Sequence, residues 1–200
     1  MVVGKRQVSS VEDLSKVGDF DSQLFLYESV GFLISIESIP ASRQQELLTL
    51  IIMPLLQRIE EIVQFQSNTP VIDLVLVAEI GDLMSCIGCI SKGFPDYNEK
   101  SSTEAAAAVV TPFWSLPFKT TLQGILIVLS KFNTYGHIRN AARFTFQRMT
   151  GCMGSELLDY VPSFLNFGLL SSESPTELIE FLPFVGLIVF KYQVLYNCLC

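Results

Sequence analysis

The chain has a single histidine, His137, a single tryptophan, and few charges: 16% of its 200 residues are ionisable acids or bases. Each shortage excludes something. With one histidine, a serine–histidine–acid triad would have to pass through His137, and no nucleophile elbow lies near it. Gly81, Gly88 and Gly93 lack the lysine context of a phosphate-cradling loop. Glu79 and Asp82 share a helical face but have no second acidic pair, so a solvated or capping role suits them better than acid–base work. No catalytic residue can be named, and no cofactor or metal is expected. Basic residues are also short, 13 against 20 acids for a net charge of −7. That balance argues against a general nucleic-acid binder, while leaving room for a local basic patch.

Cysteine is sparse and odd in number, five in all. Cys86-Ile-Gly-Cys89 is formally C-x-x-C, but a redox or metal role needs a βαβ setting or a second ligand pair. Cys198-Leu-Cys200 has the wrong spacing, so buried helix cysteines are expected. The first twenty residues lack the apolar core of a secretory signal, which suits a reducing compartment. One segment, Phe181–Cys200, invites comparison with a membrane span. Lys191 near its centre costs about 2.5–3.5 kcal/mol in that setting, and the apolar run before it is too short to cross. No membrane insertion is expected.

What the chain does have is apolar residues, half of the total, arranged at helical spacing. Residues 22–36 are apolar almost all round, which requires cover on more than one side. In 41–65, Leu48, Ile51, Ile52, Leu55, Ile59 and Ile62 make one face and Glu46, Thr49, Gln57, Glu60 and Gln64 the other, with Met53 an apolar intruder. The two segments form an antiparallel hairpin turned at Glu37–Pro40. A third helix is expected over 71–91, with Thr69 as its cap and Pro70 at its first position. The stretch 94–113 reads as a long inter-helix loop that could hold a short helix at Ala105–Val110. Further helices follow at 118–131, 137–150 and 155–169. Ser174-Pro175-Thr176-Glu177 is a capping box opening a seventh, to about Tyr192.

Residues 1–18 form a polar leader, and 19–200 are read as one array. Glu156-Leu-Leu-Asp-Tyr-Val-Pro162 and Glu177-Leu-Ile-Glu-Phe-Leu-Pro183 match in residue type, with Leu50-Ile-Ile-Met-Pro54 a weaker third copy. Such echoes suggest a shared helix design, and hairpins of about 40–47 residues are the size of HEAT and armadillo repeats. The fold class is therefore all-α, a HEAT-like solenoid. The hairpins pair 22–36 with 41–65, 70–91 with 117–131, and 137–150 with 155–169, leaving the seventh helix without a partner. Both ends would then expose an apolar face where solenoids normally carry polar caps, as expected of a slice of a longer protein.

Several blocks carry a family likeness. They are L-F-L-Y-E-S-V-G from Leu24, P-A-S-R-Q-Q-E-L-L from Pro40 and P-L-L-Q-R-I-E from Pro54. R-N-A-A-R-F-T-F-Q-R-M follows from Arg139, then Val161-Pro162-Ser163 and Glu180-Phe181-Leu182-Pro183. In this order they resemble the exportin-T family, the transfer-RNA exportins of the karyopherin-β (importin-β-like) superfamily. The likeness covers most of 24–190 and weakens between Ser91 and Leu116. It implies a right-handed HEAT-like array from the middle of a nuclear export receptor. Such a receptor carries tRNA with GTP-bound Ran, meets nuclear pore proteins, and shuttles between nucleus and cytoplasm. The family's main Ran-binding region lies in N-terminal repeats that this chain does not contain.

The residues themselves nominate Arg139, Arg143, Arg148 and Lys131 as RNA-phosphate contacts, which the resemblance implies are tRNA-phosphate contacts. Arg139 and Arg143 stand one helical turn apart on one side, and the planar guanidinium fork suits phosphate. Arg148 lies off that line. The competing task is structural: the same arginines could hold an inter-helix turn by pairing with Glu156 and Asp159. A generic HEAT-like scaffold that binds proteins and no RNA is accordingly the alternative function.

Overall fold

The computed structural model describes residues 19–97, 112–170 and 174–192. The expected leader, the short helix at 105–110 and Cys198 and Cys200 lie outside the described residues. Seven helices, one 3₁₀ segment and one π turn make up the described chain: α1 (Phe20–Ile34), α2 (Ala41–Ser67), α3 (Leu74–Ser91), α4 (Ser115–Phe132), α5 (Gly136–Met153), the 3₁₀ segment (Gly154–Asp159), the short α6 (Val161–Phe164), the π turn (Leu165–Leu169) and α7 (Pro175–Tyr192). No strand occurs among the described residues. The architecture is the all-α, HEAT-like one that the periodicity predicts.

The helices sort into two layers. α1, α3, α5 and α7 stack side by side in one, while α2, α4 and the α6–π segment stack in the other. Successive helices in the first layer run parallel, which the close approaches reveal. At Gly31 of α1 a Cβ would lie 2.2 Å from the Ile90 carbonyl oxygen near the end of α3. Gly88 of α3 faces Thr145 of α5 with the same economy, a Cβ there falling 3.0 Å from its Oγ1. The Thr145 hydroxyl lies 2.8 Å from the Met84 carbonyl and 2.9 Å from that of Ala141, so its proton serves both helices. Glycine here removes the side chain that would hold two backbones apart, and dispersion contact fills the gained space.

α1 and α3 start on aspartate caps, the second of them a correction. Asp19 caps α1, its Oδ1 accepting from Ser22 N–H at 2.9 Å. Asp73, not Thr69, caps α3, accepting from Val75 and Leu76 N–H at 2.9 and 3.4 Å. The Thr69 hydroxyl instead donates to the Phe65 carbonyl at the end of α2. Between them, buried Gln66 exchanges two 3.2 Å hydrogen bonds with the Asp73 backbone and so pins the α2–α3 turn. A capping aspartate satisfies two orphan amides where a threonine satisfies one, which moves the start to Leu74.

Two further expectations give way. Residues 155–169 are not one helix. Gly154 leaves α5 at a φ of 58°, a 3₁₀ run follows, and Pro162 sits at the first turn of α6, whereas Pro54 and Pro183 lie inside continuous helices. The matched heptapeptides thus adopt different local structures. α1, apolar on most sides, buries only Tyr27, Gly31 and Ile34. Phe25, Phe32 and Leu33 remain 72%, 49% and 61% exposed, because α1 stands at the edge of its layer with α3 on one side only. At the other edge α7 packs Phe181, Phe184 and Ile188 inward and leaves Leu182 and Phe190 exposed. Its partner is α5. Phe164 links the two, stacked on Phe146 at 4.1 Å and edge-on to Phe184 at 5.2 Å.

Among the described residues one helix, Leu74–Ser91, is long and apolar enough to cross a membrane by length and composition. It is the central member of its layer, flanked by α1 and α5, and 56% of that stretch is buried within the protein. The flanks of residues 98–111 meet at one place. Phe94 touches Phe113, Trp114 and Phe118, the Trp114 indole N–H donates to the Cys152 carbonyl at 2.9 Å, and Tyr97 N–H donates to that of Gly151 at 3.0 Å.

Candidate nucleic-acid interface

α5 carries the densest run of arginines, and its neighbours decide where each guanidinium goes. Arg139 and Arg143 both turn toward α7. Arg139 is 7% exposed and grips Glu177 through Nε and Nη2, each 2.6 Å from a carboxylate oxygen, while Nη1 donates to the Asn133 carbonyl. Arg143 donates through Nη2 to the Glu180 carboxylate at 2.8 Å and stands 5.6 Å from the centroid of the Phe181 ring. Its Nε is buried without a hydrogen-bond partner. Residues four apart on α5 therefore meet acids three apart on α7, the spacings that put each pair on one helical face.

This changes the balance between the two tasks weighed above. The acids are Glu177 and Glu180, not Glu156 and Asp159. Glu156 is taken by Ser115 and by Lys119, whose ammonium lies 2.7 Å away. With Nε, Nη1 and Nη2 each donating inside the protein and its side chain 9% exposed, the Arg139 guanidinium is turned away from solvent. Arg139 thus pins α7 to α5, and Arg143 does similar work nearer the surface.

Arg148 leaves α5 on the other side. It lies 3.6 Å from Glu28 of α1, with its guanidinium 5.0 Å over the Phe144 ring. Lys92, just past the end of α3, reaches the same Glu28 at 2.6 Å. Lys191, in the last turn of α7, lies 3.2 Å from Asp96. Lys92, Arg148 and Lys191, with Gln147, Phe144 and Asp96, line one cleft of about 530 Å³. Sequence reading missed Lys92 and Lys191 as a basic site because they stand far apart along the chain. The available signal was positional. Both close a helix, and parallel stacking gathers the C-terminal ends of α3, α5 and α7 at one edge.

Lys131 is placed differently again. It ends α4 and donates to the Ser67 hydroxyl at 3.0 Å. Among the described residues it is the one lysine or arginine outside an ion pair. It lies at one end of a groove of about 650 Å³ between α2 and α4, floored by Leu56, Val63 and Val128. The four basic candidates are therefore not one patch: two face α7, one enters the cleft, and one stands at the groove.

The remaining titratable groups are structural in placement. Glu79 takes Arg58 in a two-toothed pair at 2.7 and 3.1 Å, and this partner holds the Arg58 guanidinium above its ordinary range. Burial pushes the Asp82 carboxyl up, against the opposing pull of His137 at 3.4 Å. Cys86, Cys89 and Cys152 are buried free thiols, all pushed up by desolvation, the first and last to about 12. A thiol held protonated is a poor nucleophile and a poor metal ligand. Among the described residues no three histidine, cysteine, aspartate or glutamate side chains converge on a metal-sized site.

Comparison with known proteins places these features in a family. The profile described as Exportin-T matches residues 4–199. Exportin-T of Mycosarcoma maydis is 33% identical over 192 residues, covering 94% of this chain and 17% of that protein. Exportin-T of Laccaria bicolor is 31% identical over 94% of the chain and 17% of its own length, and that of Coprinopsis cinerea 34% over 87% and 16%. The chain spans about one sixth of the length of the curated relatives it matches.

Proposed function

Because the chain belongs to the exportin-T family, we propose that it is a repeat segment of a nuclear export receptor. This receptor carries tRNA from nucleus to cytoplasm with GTP-bound Ran, and passes nuclear pore proteins on the way. It is a carrier and not a catalyst. The observation that supports this reading is the family match along nearly the whole chain, on a fold of parallel-stacked helix hairpins. Such arrays curve through small rotations between repeats and bind cargo along an extended surface. Within the segment, phosphate contact falls to Arg148 and Lys131. Arg139 and Arg143 hold α7 in place beneath that surface.

Electrostatic screening bears on how cargo is gripped. Every described cation but Lys131 already faces an acid, so RNA must compete with internal carboxylates for the others. Binding of this kind is weak in isolation and depends strongly on salt. The test is tRNA binding by a full-length exportin-T carrying this segment, with and without Ran-GTP. Retention of tRNA that requires Ran-GTP is the expected outcome; no retention in either condition overturns the reading.

The second reading, a protein-binding scaffold without RNA, draws on the same ion pairs, since a surface neutralised this far attracts polyanions poorly. A protein partner captured by the receptor, with no tRNA bound at any salt, decides for it.

A further inference from the structure

We infer that the cleft lined by Lys92, Arg148 and Lys191 is an RNA-phosphate site whose cations are kept in place by two stand-in carboxylates, Glu28 and Asp96. The inference rests on the tRNA-carrier reading above and deepens it. In a chain of net charge −7, three cations and one acid line a single cleft of about 530 Å³. Local charge there is opposite to that of the whole molecule, and Gln147 adds a neutral donor.

Each cation is presented rather than buried. The side chains of Lys92, Arg148 and Lys191 are 46%, 30% and 23% exposed, against 9% for Arg139. Arg148 is held over the Phe144 ring, so its direction is set without spending its forked donors. Glu28 answers two cations at once, Lys92 at 2.6 Å and Arg148 at 3.6 Å, and so leaves excess positive charge. Asp96 is 66% exposed and holds Lys191 at 3.2 Å, the geometry of a surface pair worth little energy. An incoming phosphodiester replaces these carboxylates as acceptor while the cations keep their positions. No bond is made or broken; the exchange is of ion-pair partners. Parallel stacking explains why the site exists at all, since it brings the ends of α3, α5 and α7 together on one edge.

Two variants of a full-length exportin-T carrying this segment test the inference, read as tRNA affinity across a salt series with Ran-GTP present. Lys92→Gln with Arg148→Gln and Lys191→Gln lowers the slope of log affinity against log salt by roughly two units, at about 0.7–0.9 per lost phosphate contact. Asp96→Asn frees Lys191 and tightens binding about two- to fivefold, the range expected when a surface pair is released. It also serves if the triple variant folds poorly. A wild-type slope in the triple variant, or unchanged or weaker binding in Asp96→Asn, overturns the site while leaving the carrier reading intact. Loss of tRNA together with gain of an acidic protein partner at this cleft overturns it too. If the wild-type receptor binds no tRNA, both fall.

Discussion

Arg139 of α5 and Glu177 of α7 form a two-toothed ion pair with both contacts at 2.6 Å and both side chains 9% exposed. Within the expected capping box, Ser174 Oγ accepts from Glu177 N–H at 3.4 Å, so the same residue both opens α7 and meets Arg139. The pair fixes the register of α7 on α5, since Arg143 and Glu180 repeat the contact one turn on.

Removing one member of this pair strands a buried charge. Arg139→Ala is expected to destabilise the fold by about 3–5 kcal/mol, while Arg139→Met with Glu177→Leu recovers most of the loss. Urea denaturation of the two variants checks this. A double variant as unstable as the single one would show that the ion pair is worth more than apolar packing at that site.

Gly31 allows α1 to touch α3. Gly31→Ala places a methyl 2.2 Å from the Ile90 carbonyl oxygen, and backbone must move to admit it. The expected cost is about 1–3 kcal/mol, read by thermal denaturation. An unchanged melting temperature contradicts the close packing.

Gln66 is a polar residue in an apolar layer, and both ends of its amide are used by the Asp73 backbone. Gln66→Ala leaves the Asp73 N–H unpaired, while its carbonyl keeps Val77 N–H at 3.1 Å, and is expected to cost about 1–3 kcal/mol. Hydrogen exchange should quicken first at Asp73 and the start of α3.

Alkaline pH should loosen the core. Burial raises Cys86 and Cys152 from 9.0 to about 12 and Tyr27 from 10.0 to about 12. Raised values mean that the folded protein favours the protonated forms. Their stabilisation is complete below pH 9 and is lost as pH climbs toward 12. Circular dichroism across pH 8–12 (roughly the window set by those shifts) should show the loss, and Cys86→Ala should shift its onset upward.

The edges of the array are apolar. Phe25 and Leu33 on α1 and Leu182 and Phe190 on α7 are 72%, 61%, 63% and 84% exposed. The chain by itself should self-associate at micromolar concentration. Sedimentation of the wild type beside Phe25→Gln with Phe190→Gln tests this: a monomer in both cases removes the edges as the cause.

The sequence by itself determined the helices and most of their ends, because apolar spacing and short-range caps act between residues a few positions apart. Asp19 capping α1, Pro175 opening α7 and the buried Leu48–Ile62 stripe were all legible in this way. It also determined family membership, which rests on blocks of residues in order. Only the tertiary structure decided which partners the basic residues meet. Whether Arg139 meets a phosphate or Glu177 depends on how α7 lies on α5, and nothing within one helix specifies that. Lys92, Arg148 and Lys191 become neighbours because parallel helices stack with their C-terminal ends at one edge, glycine easing the approach of α3 to α5. Charge partners are chosen by distance in space, and helix packing sets that distance.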